Sequence, residues 1–327
     1  MIDLTQPLLI TGAEGFVGSH LVEYFQARGY TNLHGTAFRS IDGLKQKLGE
    51  DKAWQIDLEN DEAVQEMVGK IKPSAVIHLA ARPSVNESYD NAWLVLKTNA
   101  HLQLVMLEAL RHQAPQARLL SIGSAQEYGM IAPEYLGKPL NEHTPFNPTN
   151  AYAVSKLTAE HLAQAYHLSY GLDVIHVRPF NQIGPGQLPE FAVPSFAQQI
   201  VRIERGEQTS LKVGNLSAIR DFTDVRDAAS AYELLLQDGV SGEPYNLGSG
   251  QGVSMQAVLD GLLELTSAEV KVEVDPSRLR PADIPHFVAD NSKIKELGWE
   301  PKNSLKQTLT DILAYERRLA DQQSGQS

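Results

Sequence analysis

The chain has 327 residues, a formal net charge of -12 and 42% apolar residues. This length fits one large α/β domain or a domain with a smaller companion, and the acidic balance argues against nucleic-acid binding, because phosphate backbones are bound by basic surfaces. The sequence contains no cysteine, which excludes disulfides, thiol nucleophiles and thiolate metal sites.

The start of the chain shows no targeting signal. Residues 1–7 lack the basic start and the apolar core of a signal peptide. No apolar run in the sequence approaches the roughly 20 residues that span a bilayer. We therefore expect a cytoplasmic protein that has neither a membrane nor a nucleic acid as its partner.

Short apolar runs alternate with helical patterns over the first half of the chain. Strands are predicted at 7–11, 33–37, 53–56, 73–80, 118–122 and 173–177, and long helices at about 91–111 and 152–170. This alternation predicts an α/β fold with a doubly wound parallel sheet. Pro, Gly and Asn become dense after residue 178. We therefore expect a main domain over 1–178, with returning segments near 215–250, and a smaller α/β lobe mainly over 179–327.

A glycine-rich turn separates the first predicted strand from the first helix. It contains Gly12, Gly15 and Gly18 in the spacing G-x-x-G-x-x-G. In such a turn the first glycine permits the bend, the second lets the backbone approach a pyrophosphate, and the third lets helix and strand pack. The N–H groups and the positive dipole end of the following helix would face the phosphates. Residues 1–178 are therefore predicted to form a dinucleotide-binding Rossmann domain.

The end of the second predicted strand bears on the choice between NAD and NADP. A carboxylate there would bind the 2′-hydroxyl of the adenosine ribose, but residues 35–40 contain none. The guanidinium of Arg39 could bind a 2′-phosphate, which favours NADP, with NAD as the alternative. Asp57 and Leu58 follow the third strand and are placed to meet the adenine, although Asp57 could equally cap the next helix.

Three polar side chains form the predicted catalytic group. Tyr152 and Lys156 lie four residues apart and therefore share one face of a helix. A nearby ammonium favours the phenolate, so Lys156 is expected to lower the pKa of Tyr152 and to suit it to proton transfer near neutral pH. Ser124 follows the fifth strand, at the sheet edge where open α/β folds bind ligands. The Tyr-x-x-x-Lys spacing alone is common, and the glycine turn and Ser124 are what make it indicative.

These motifs together resemble the extended short-chain dehydrogenase/reductase family of nucleotide-sugar enzymes. The resemblance covers nearly the whole chain and is carried by Thr11-Gly12-x-x-Gly15-Phe16-x-Gly18, His78-Leu-Ala-Ala81, Ser124 and Tyr152-x-x-x-Lys156. Segments 178–187, 213–227 and 278–285 are similar to motifs of its GDP-mannose branch. The resemblance implies a homodimeric oxidoreductase that reduces the C4 ketone of GDP-4-keto-6-deoxy-D-mannose to GDP-D-rhamnose with NAD(P)H.

The resemblance also implies a role for each candidate residue. Tyr152 would protonate the C4 oxygen, Lys156 would bind the nicotinamide ribose, and Ser124 would orient the ketone. Further cofactor contacts would come from Gly12, Gly15, Phe16, Val17, Gly18, Leu79, Ala80, Ala81, Asn99 and Phe180. The GDP-linked hexose would be bound by Gln126, Asn181, Arg220, Arg280 and Asp283. No metal site is expected, because the ten histidines are scattered and do not show metal-ligand spacing.

Position 126 bears on which reaction is catalysed, because ketone reduction, 4,6-dehydration and 4-epimerisation share the family scaffold. Dehydratases of the family carry Thr-x-Glu at the positions of Ser124-Ala-Gln126, and a glutamine cannot serve as the acid or base that dehydration needs. Gln126 therefore favours reduction, and Glu127 is expected on the opposite face if the strand continues. Dehydratase and epimerase remain alternatives, and a non-catalytic cofactor-sensing module is disfavoured by the intact Tyr152 and Lys156.

Overall fold

A computed structural model describes residues 3–278 and 284–324 of the chain. Its strands lie close to the predicted ones in the first half, and several short strands follow in the second. They are β1 (Leu8–Thr11), β2 (Leu33–Ala37), β3 (Ala53–Gln55), β4 (Ala75–His78), β5 (Arg118–Ile122), β6 (Asp173–Pro179), β7 (Asn181–Ile183), β8 (Ser210–Val213), β9 (Ile219–Asp224), β10 (Pro244–Leu247), β11 (Gly252–Ser254), β12 (Lys271–Val274) and β13 (His286–Phe287).

Helices follow most of the strands. They are α1 (Phe16–Ala27), α2 (Asp42–Leu48), α3 (Asp61–Ile71), α4 (Val85–Asp90), α5 (Ala92–Gln113), α6 (Ala151–Tyr170), α7 (Ala192–Glu204), α8 (Val225–Asp238), α9 (Met255–Leu263), α10 (Ser292–Glu296) and α11 (Leu305–Ser324). Single 3-10 turns lie at 50–52, 125–128, 133–135 and 276–278. Over residues 3–278 and 284–324, no helix combines the length and the apolar character that crossing a membrane requires.

The central sheet has seven strands in the order β10-β6-β5-β4-β1-β2-β3, and every pairing in it is parallel. This confirms the predicted doubly wound sheet. From β1 the chain first builds β2 and β3 on one side and then β4, β5 and β6 on the other. The crevice at the carboxyl ends of β1 and β4 is therefore the topological switch point, where such folds bind their ligands.

Both faces of the sheet are covered by helices. Along β1, Leu8 and Ile10 pack into the core under α1 and α8, whereas Leu9 packs into the core under α3, α5 and α6. Alternation of side chains along a strand explains this division. All three are fully buried, and burial of each such side chain stabilises the fold by about 1.5–3 kcal/mol.

A polar row crosses this apolar sheet near the carboxyl ends of its strands. Register partners in β1, β4, β5 and β6 make up the row, namely Thr11, His78, Ser121 and His176. All four are buried. Buried polar groups must find hydrogen-bond partners, so this row links the interior of the sheet to the residues beyond its edge.

The second half of the chain builds smaller sheets beside the central one. Strand β9 pairs with β7, β11 and β13, and β8 pairs with β12. Helices α7, α9 and α11 enclose a separate apolar core with these strands. Strand β10 instead pairs with β6 at the edge of the central sheet, so the chain crosses between the two parts more than once.

Substitution of Gly18 tests the packing of α1 on β1. A Cβ on Gly18 would overlap the carbonyl oxygen of Gly12 and lie 2.6 Å from the Cα of Ala13, and these backbone atoms cannot turn aside. We expect Gly18→Ala to lower the free energy of unfolding in urea by about 1–3 kcal/mol. In α2, a Cβ on Gly43 would meet nothing within 4 Å, so Gly43→Ala should stabilise by about 0.5–1 kcal/mol. Equal stability of the two variants would contradict this account.

Candidate active site

The glycine turn lies at the switch point of the sheet. Gly12 has φ of +66°, and a Cβ there would lie 3.2 Å from the backbone N and Cα of Ala80, so only glycine fits both the conformation and the space. Gly15 is the N-cap of α1, where no side chain caps the helix and no acidic residue occupies the first turn. The first N–H groups of α1 therefore remain available to an anion at this edge.

Two side chains of the polar row, Thr11 and His78, contact each other and the segment next to this turn. Thr11 Oγ1 lies 2.9 Å from His78 Nδ1 and accepts the N–H of Ala80 at 3.2 Å. Burial, aided by the charge of Lys156, lowers the pKa of His78 to about 3, so its ring is neutral. These contacts join the end of β1 to the segment that follows β4.

The structure brings Ser124, Tyr152 and Lys156 together. Tyr152 and Lys156 lie in the first turns of α6, which Asn150 caps by accepting the N–H of Ala153 at 2.9 Å. The ammonium of Lys156 donates to the carbonyl of Ile122, the last residue of β5, at 2.8 Å. The hydroxyl of Ser124 lies close enough to Tyr152 to oppose the rise in the pKa of that phenol. The three side chains thus meet at the carboxyl end of β5, as the sequence predicted.

Tyr152 does not have the lowered pKa that was expected from its neighbour Lys156. Burial raises the pKa of Tyr152 to about 12, against the opposing hydrogen bond from Ser124. Burial also lowers the pKa of Lys156 to about 8. The ammonium of Lys156 donates to the Ile122 carbonyl. The cost of burying a phenolate is the largest contribution to the pKa of Tyr152. At neutral pH Tyr152 is therefore a phenol, the form that can donate a proton.

Asn99 connects α5, the segment after β4 and α6. Its Oδ1 accepts the N–H of Arg82 at 2.7 Å, and its Nδ2 donates to Ser155 Oγ at 2.8 Å. Ser155 in turn donates to the carbonyl of Tyr152 at 2.7 Å. The buried amide therefore holds the first turn of α6 beside the predicted cofactor path along Leu79, Ala80 and Ala81.

At the end of β2 the structure adds a carboxylate that the sequence analysis missed. Arg39 is exposed there, and its carbonyl accepts from Gln55 Nε2 at 3.0 Å. Glu14 of the glycine turn accepts the N–H of Phe38 at 2.8 Å. Because Glu14 is distant in sequence from this strand end, a search for an acidic residue at the end of β2 does not find it.

The alternative role of Asp57 as a helix cap is wrong. Asp57 Oδ1 accepts the N–H of Glu59 at 2.9 Å, which closes a local turn. The N-cap of α3 is Asn60, whose Oδ1 accepts the N–H of Ala63 at 3.1 Å. Leu58 between them is buried in the core beneath α3 and α5.

The predicted substrate residues lie partly within the described structure. Asn181 donates to the carbonyl of Asp221 at 3.0 Å, and Arg220 donates to the carbonyls of Ile219 and Ile284 at 2.8 and 2.6 Å. Phe180 is buried with its ring centroid 5.3 Å from that of Phe287. Arg280 and Asp283 lie outside the described residues.

Asp221 is a buried anchor that the sequence analysis did not identify. One carboxylate oxygen accepts from the N–H and the hydroxyl of Ser249 at 2.8 and 2.6 Å. The other accepts the N–H groups of Gly250 and Ala289 at 2.9 and 3.1 Å. Burial raises the pKa of Asp221 and these hydrogen bonds oppose the rise. A single side chain therefore fixes two loops beside Arg220.

Arg226 is engaged in ion pairs with two aspartates. It binds both oxygens of Asp224 at 2.8 and 2.6 Å, and its Nη1 lies 2.8 Å from Asp311 of α11. Asp227 accepts the N–H groups of Lys302 and Asn303 at 3.1 and 3.0 Å. The charged segment that begins α8 thus attaches this helix to the C-terminal part of the chain.

Residues 125–128 form a 3-10 turn, so the strand does not continue through Gln126 and Glu127 and the alternation expected for a continuing strand does not apply. Strand β5 ends at Ile122, and Ser124 caps the turn by accepting the N–H of Gln126 at 3.2 Å. Glu127 accepts the N–H of Ser124 at 2.7 Å and is fully buried, whereas Gln126 is partly exposed. The burial of Glu127 is explained by a capping box, in which its carboxylate accepts the N–H of the cap residue Ser124.

Glu127 belongs to a buried group of ionisable side chains that the sequence analysis also missed. Ligand atoms of Glu127, Glu160 and His176 lie within 4.8 Å of one another, a spacing that a metal ion could bridge. The guanidinium of Arg178 donates to Glu160 at 2.9 Å within this group. A cation at these carboxylates would be repelled by Arg178, so the group does not favour a metal.

Replacement of Asp221 measures its contribution to stability. Asn can accept with one oxygen only, and its amide NH₂ would face the N–H groups of Gly250 and Ala289. We expect Asp221→Asn to lower the free energy of unfolding by about 1–3 kcal/mol, the cost of unpaired buried donors. Asp260, which accepts from Gln256 on the exposed face of α9, is the matched control. Asp260→Asn should change stability by less than about 0.5 kcal/mol, and equal losses at both sites would contradict the anchor role.

Comparisons with known proteins agree with this geometry. The family described as GDP-mannose 4,6 dehydratase matches residues 9–312. The GDP-6-deoxy-D-mannose reductase of Pseudomonas aeruginosa is 34% identical over 322 residues, covering 98% of this chain and 100% of that protein. GDP-mannose 4,6 dehydratase 2 of Arabidopsis thaliana is 30% identical over 332 residues, covering 95% and 87%. The solved structure of RMD from Pseudomonas aeruginosa complexed with NADPH matches with a TM-score of 0.83 at 32% identity, covering 96% and 100%.

The family model, the two relatives and the solved structure all extend over nearly the full chain. The match includes the glycine turn and α6, which carry the predicted site. It confirms the family that the motifs resembled. The chain belongs to the GDP-mannose 4,6 dehydratase family, within the extended short-chain dehydrogenase/reductase enzymes that act on nucleotide sugars.

Proposed function

We propose that this enzyme reduces the C4 ketone of GDP-4-keto-6-deoxy-D-mannose to GDP-D-rhamnose with NADPH, with NADH as the alternative coenzyme. The observation that carries the proposal is the meeting of Ser124, Tyr152 and Lys156 at the carboxyl end of β5. The relative named as a GDP-6-deoxy-D-mannose reductase supports the choice of reaction. The relative solved with NADPH supports the coenzyme.

The glycine turn and its neighbours are the proposed coenzyme site. Gly12, Gly15 and Gly18 would let the pyrophosphate approach the N–H groups of α1, and the tight fit of Gly12 against Ala80 supports this. Arg39 would bind the 2′-phosphate. The remaining contacts are assigned to Phe16, Val17, Asp57, Leu58, Leu79, Ala80, Ala81, Asn99, Tyr152, Lys156 and Phe180.

The smaller part of the chain is the proposed substrate lobe. We assign residues 1–178, with the returning segments near 215–250, to the coenzyme domain and mainly 179–327 to the nucleotide sugar. The GDP-linked hexose would be bound by Ser124, Gln126, Asn181, Arg220, Arg280 and Asp283. The guanidinium of Arg220 suits a diphosphate, because planar guanidinium groups bind phosphate oxygens in pairs.

Proton transfer is the part of the reaction that this chain supplies. The bound coenzyme provides the hydride that adds to C4. As the C4 oxygen gains the electron pair of the carbonyl, Tyr152 donates its phenolic proton to it, and the hydroxyl of Ser124 orients the ketone. The ammonium of Lys156 stabilises the phenolate left behind, which takes up a proton again from solvent.

Gln126 is the residue that favours reduction over dehydration. Dehydration removes the C5 proton and expels the C6 hydroxyl, and it needs a carboxylic acid where this chain has an amide. Glu127 does not replace it, because its carboxylate is fully buried and accepts the N–H of Ser124. Reduction needs no group beyond Ser124, Tyr152 and Lys156.

A cytoplasmic homodimer through α5 and α6 is the proposed assembly. The two helices pack against each other and leave large apolar side chains exposed along their outer surface. These are Trp93, Leu94, Leu104, Val154 and Leu168. A second copy of the same helix pair would cover them in a four-helix contact.

Replacement of Tyr152 tests the proton donor. We expect Tyr152→Phe to lower kcat for the 4-keto sugar by about 100-fold or more, because proton donation contributes at least that factor. Binding of NADPH, followed by fluorescence, should change by less than about threefold, since the ring keeps its shape. Tyr170→Phe, at the exposed end of the same helix, is the matched control and should turn over normally. Retention of kcat within a few-fold in Tyr152→Phe would disprove the mechanism.

A product assay separates the reductase from its sister activities. The enzyme with NADPH should consume GDP-4-keto-6-deoxy-D-mannose with stoichiometric loss of nicotinamide absorbance and should leave GDP-mannose unchanged. When a separate GDP-mannose dehydratase is added, the two enzymes together should consume GDP-mannose. Consumption of GDP-mannose by this enzyme alone, without net coenzyme oxidation, would identify a dehydratase. Interconversion of C4 isomers would identify an epimerase.

A further inference from the structure

Four buried ionisable side chains next to the site have no role in the reaction described above. Glu127 lies in the turn after β5, Glu160 lies on α6, and His176 and Arg178 lie on β6. Each of the four residues is less than one-tenth exposed. Burying charges in this way is costly unless they are paired, so the contacts within this four-charge cluster define what it can do.

Both carboxylates of the cluster face cations. Arg178 donates to both oxygens of Glu160, at 2.9 and 2.5 Å. The Nε2 of His176 lies 3.0 Å from Glu160 Oε2 and 3.5 Å from Glu127 Oε1. An unprotonated Nε2 would set its lone pair against two carboxylate oxygens. The ring therefore carries a proton on Nε2.

The other ring nitrogen faces a hydroxyl group. His176 Nδ1 lies 3.3 Å from the hydroxyl of Ser121, which itself donates to Gln103 at 3.1 Å. With its proton on Gln103, the hydroxyl oxygen is placed to accept from a protonated Nδ1. Burial opposes the charged ring, but the carboxylates of Glu160 and Glu127 prevail and raise the pKa of His176 to about 9. Burial also raises the pKa of Glu127, and the charge of His176 opposes that rise. With Glu127 ionised, the imidazolium and the guanidinium balance the two carboxylates.

Glu127 joins this cluster to the catalytic residues. Its Oε1, which faces His176, also accepts the N–H of Ser124 at 2.7 Å. Ser124 Oγ accepts the N–H of Gln126, which leaves its proton for Tyr152 or for a substrate oxygen. After the effects of burial, the charge of Glu127 raises the pKa of both Tyr152 and Lys156.

The absence of a side chain at Gly123, next to Ser124, leaves room for the contact between His176 and Glu127. A Cβ on Gly123 would overlap both His176 Nε2 and Glu127 Oε1. The imidazole and the carboxylate are thus packed directly against the peptide that leads into Ser124. Any side chain at position 123 would separate the two groups.

We propose that Glu127 and His176 are positioning residues of the active site. Protonated His176 holds the carboxylate of Glu127, and Glu127 holds Ser124 in the orientation that orders the substrate ketone. Glu160 and Arg178 complete the charge balance that keeps His176 protonated. The inference rests on the proposed reduction and deepens it, because it states what places Ser124.

The charge of His176 is tested by NMR on the full-length protein labelled with ¹⁵N-histidine, with His176→Gln to assign the resonances. At pH 7.5 both ring nitrogens of His176 should be protonated. Glu127→Gln should lower the proton affinity of His176 about tenfold, because one facing carboxylate is lost. Glu233→Gln removes a buried carboxylate that instead binds Tyr24, Tyr30 and Arg28, and it should leave His176 unchanged. A neutral His176 at pH 7.5 would overturn the proposal.

A double-mutant cycle tests whether Glu127 acts through Ser124. Glu127→Gln keeps the side-chain shape but offers a weaker, uncharged acceptor, so kcat should fall about tenfold while the KM for NADPH stays within about threefold. Combined with Ser124→Ala, it should cost less than about twofold beyond Ser124→Ala alone, because coupled residues are not additive. Additive losses would indicate a general structural effect and would overturn the proposal.

The two failures are distinguishable. If the wild-type enzyme did not reduce the 4-keto sugar, the proposed function would be wrong, and the charge of His176 would still be decided by NMR without substrate. If the wild-type enzyme reduced the sugar and Glu127→Gln turned over within twofold of it, the positioning role would be wrong and the proposed function would stand.

Discussion

The polar row across the central sheet is the constraint on which the site depends. Strand register places Thr11 beside His78 and Ser121 beside His176, all within an apolar interior. Because these side chains have no access to solvent, they must bond to one another or to the segments just beyond the sheet. Thr11 reaches Ala80 and so shapes the glycine turn, and His176 reaches Glu127 and so shapes the turn that carries Ser124. The glycine turn and the turn that carries Ser124 are therefore both held by side chains of this row.

Burial and pairing compete at Tyr152, Lys156 and His176, with different outcomes. Over the described residues, Tyr152 and Lys156 have no buried counter-ion in direct contact, so burial prevails and favours the neutral forms of both. His176 faces two carboxylates, so pairing prevails and favours the charged form. At neutral pH the site therefore holds a phenol, which is the proposed proton donor, and an ammonium beside it. An anionic coenzyme and an anionic sugar nucleotide enter a site that lacks a phenolate to repel them.

The acidic segment from Asp221 to Asp227 shows how a family motif can support a site without entering it. Asp221 fixes the loops at 249–250 and 289, Asp224 pairs with Arg226, and Asp227 holds residues 302–303. Only Arg220 within this motif is assigned to the substrate. The neighbouring aspartates place β9 and α8, because their carboxylates satisfy backbone N–H groups that no strand or helix pairs.

Features that depend on local spacing follow from the sequence alone. Alternating strands and helices, the glycine turn and the shared face of Tyr152 and Lys156 follow from residues a few positions apart, and the structure contains all of them. The position of Ser124 just beyond β5 also follows from the sequence, because it comes directly after a predicted strand. The contact partners, the burial and the pKa values of these groups depend on the tertiary structure. The contact of His176 with Glu127 joins positions 49 residues apart, and that of Asp221 with Ala289 joins positions 68 apart. The pKa of Tyr152 is raised and not lowered because its side chain is buried. That burial depends on the packing of elements that are distant in the chain.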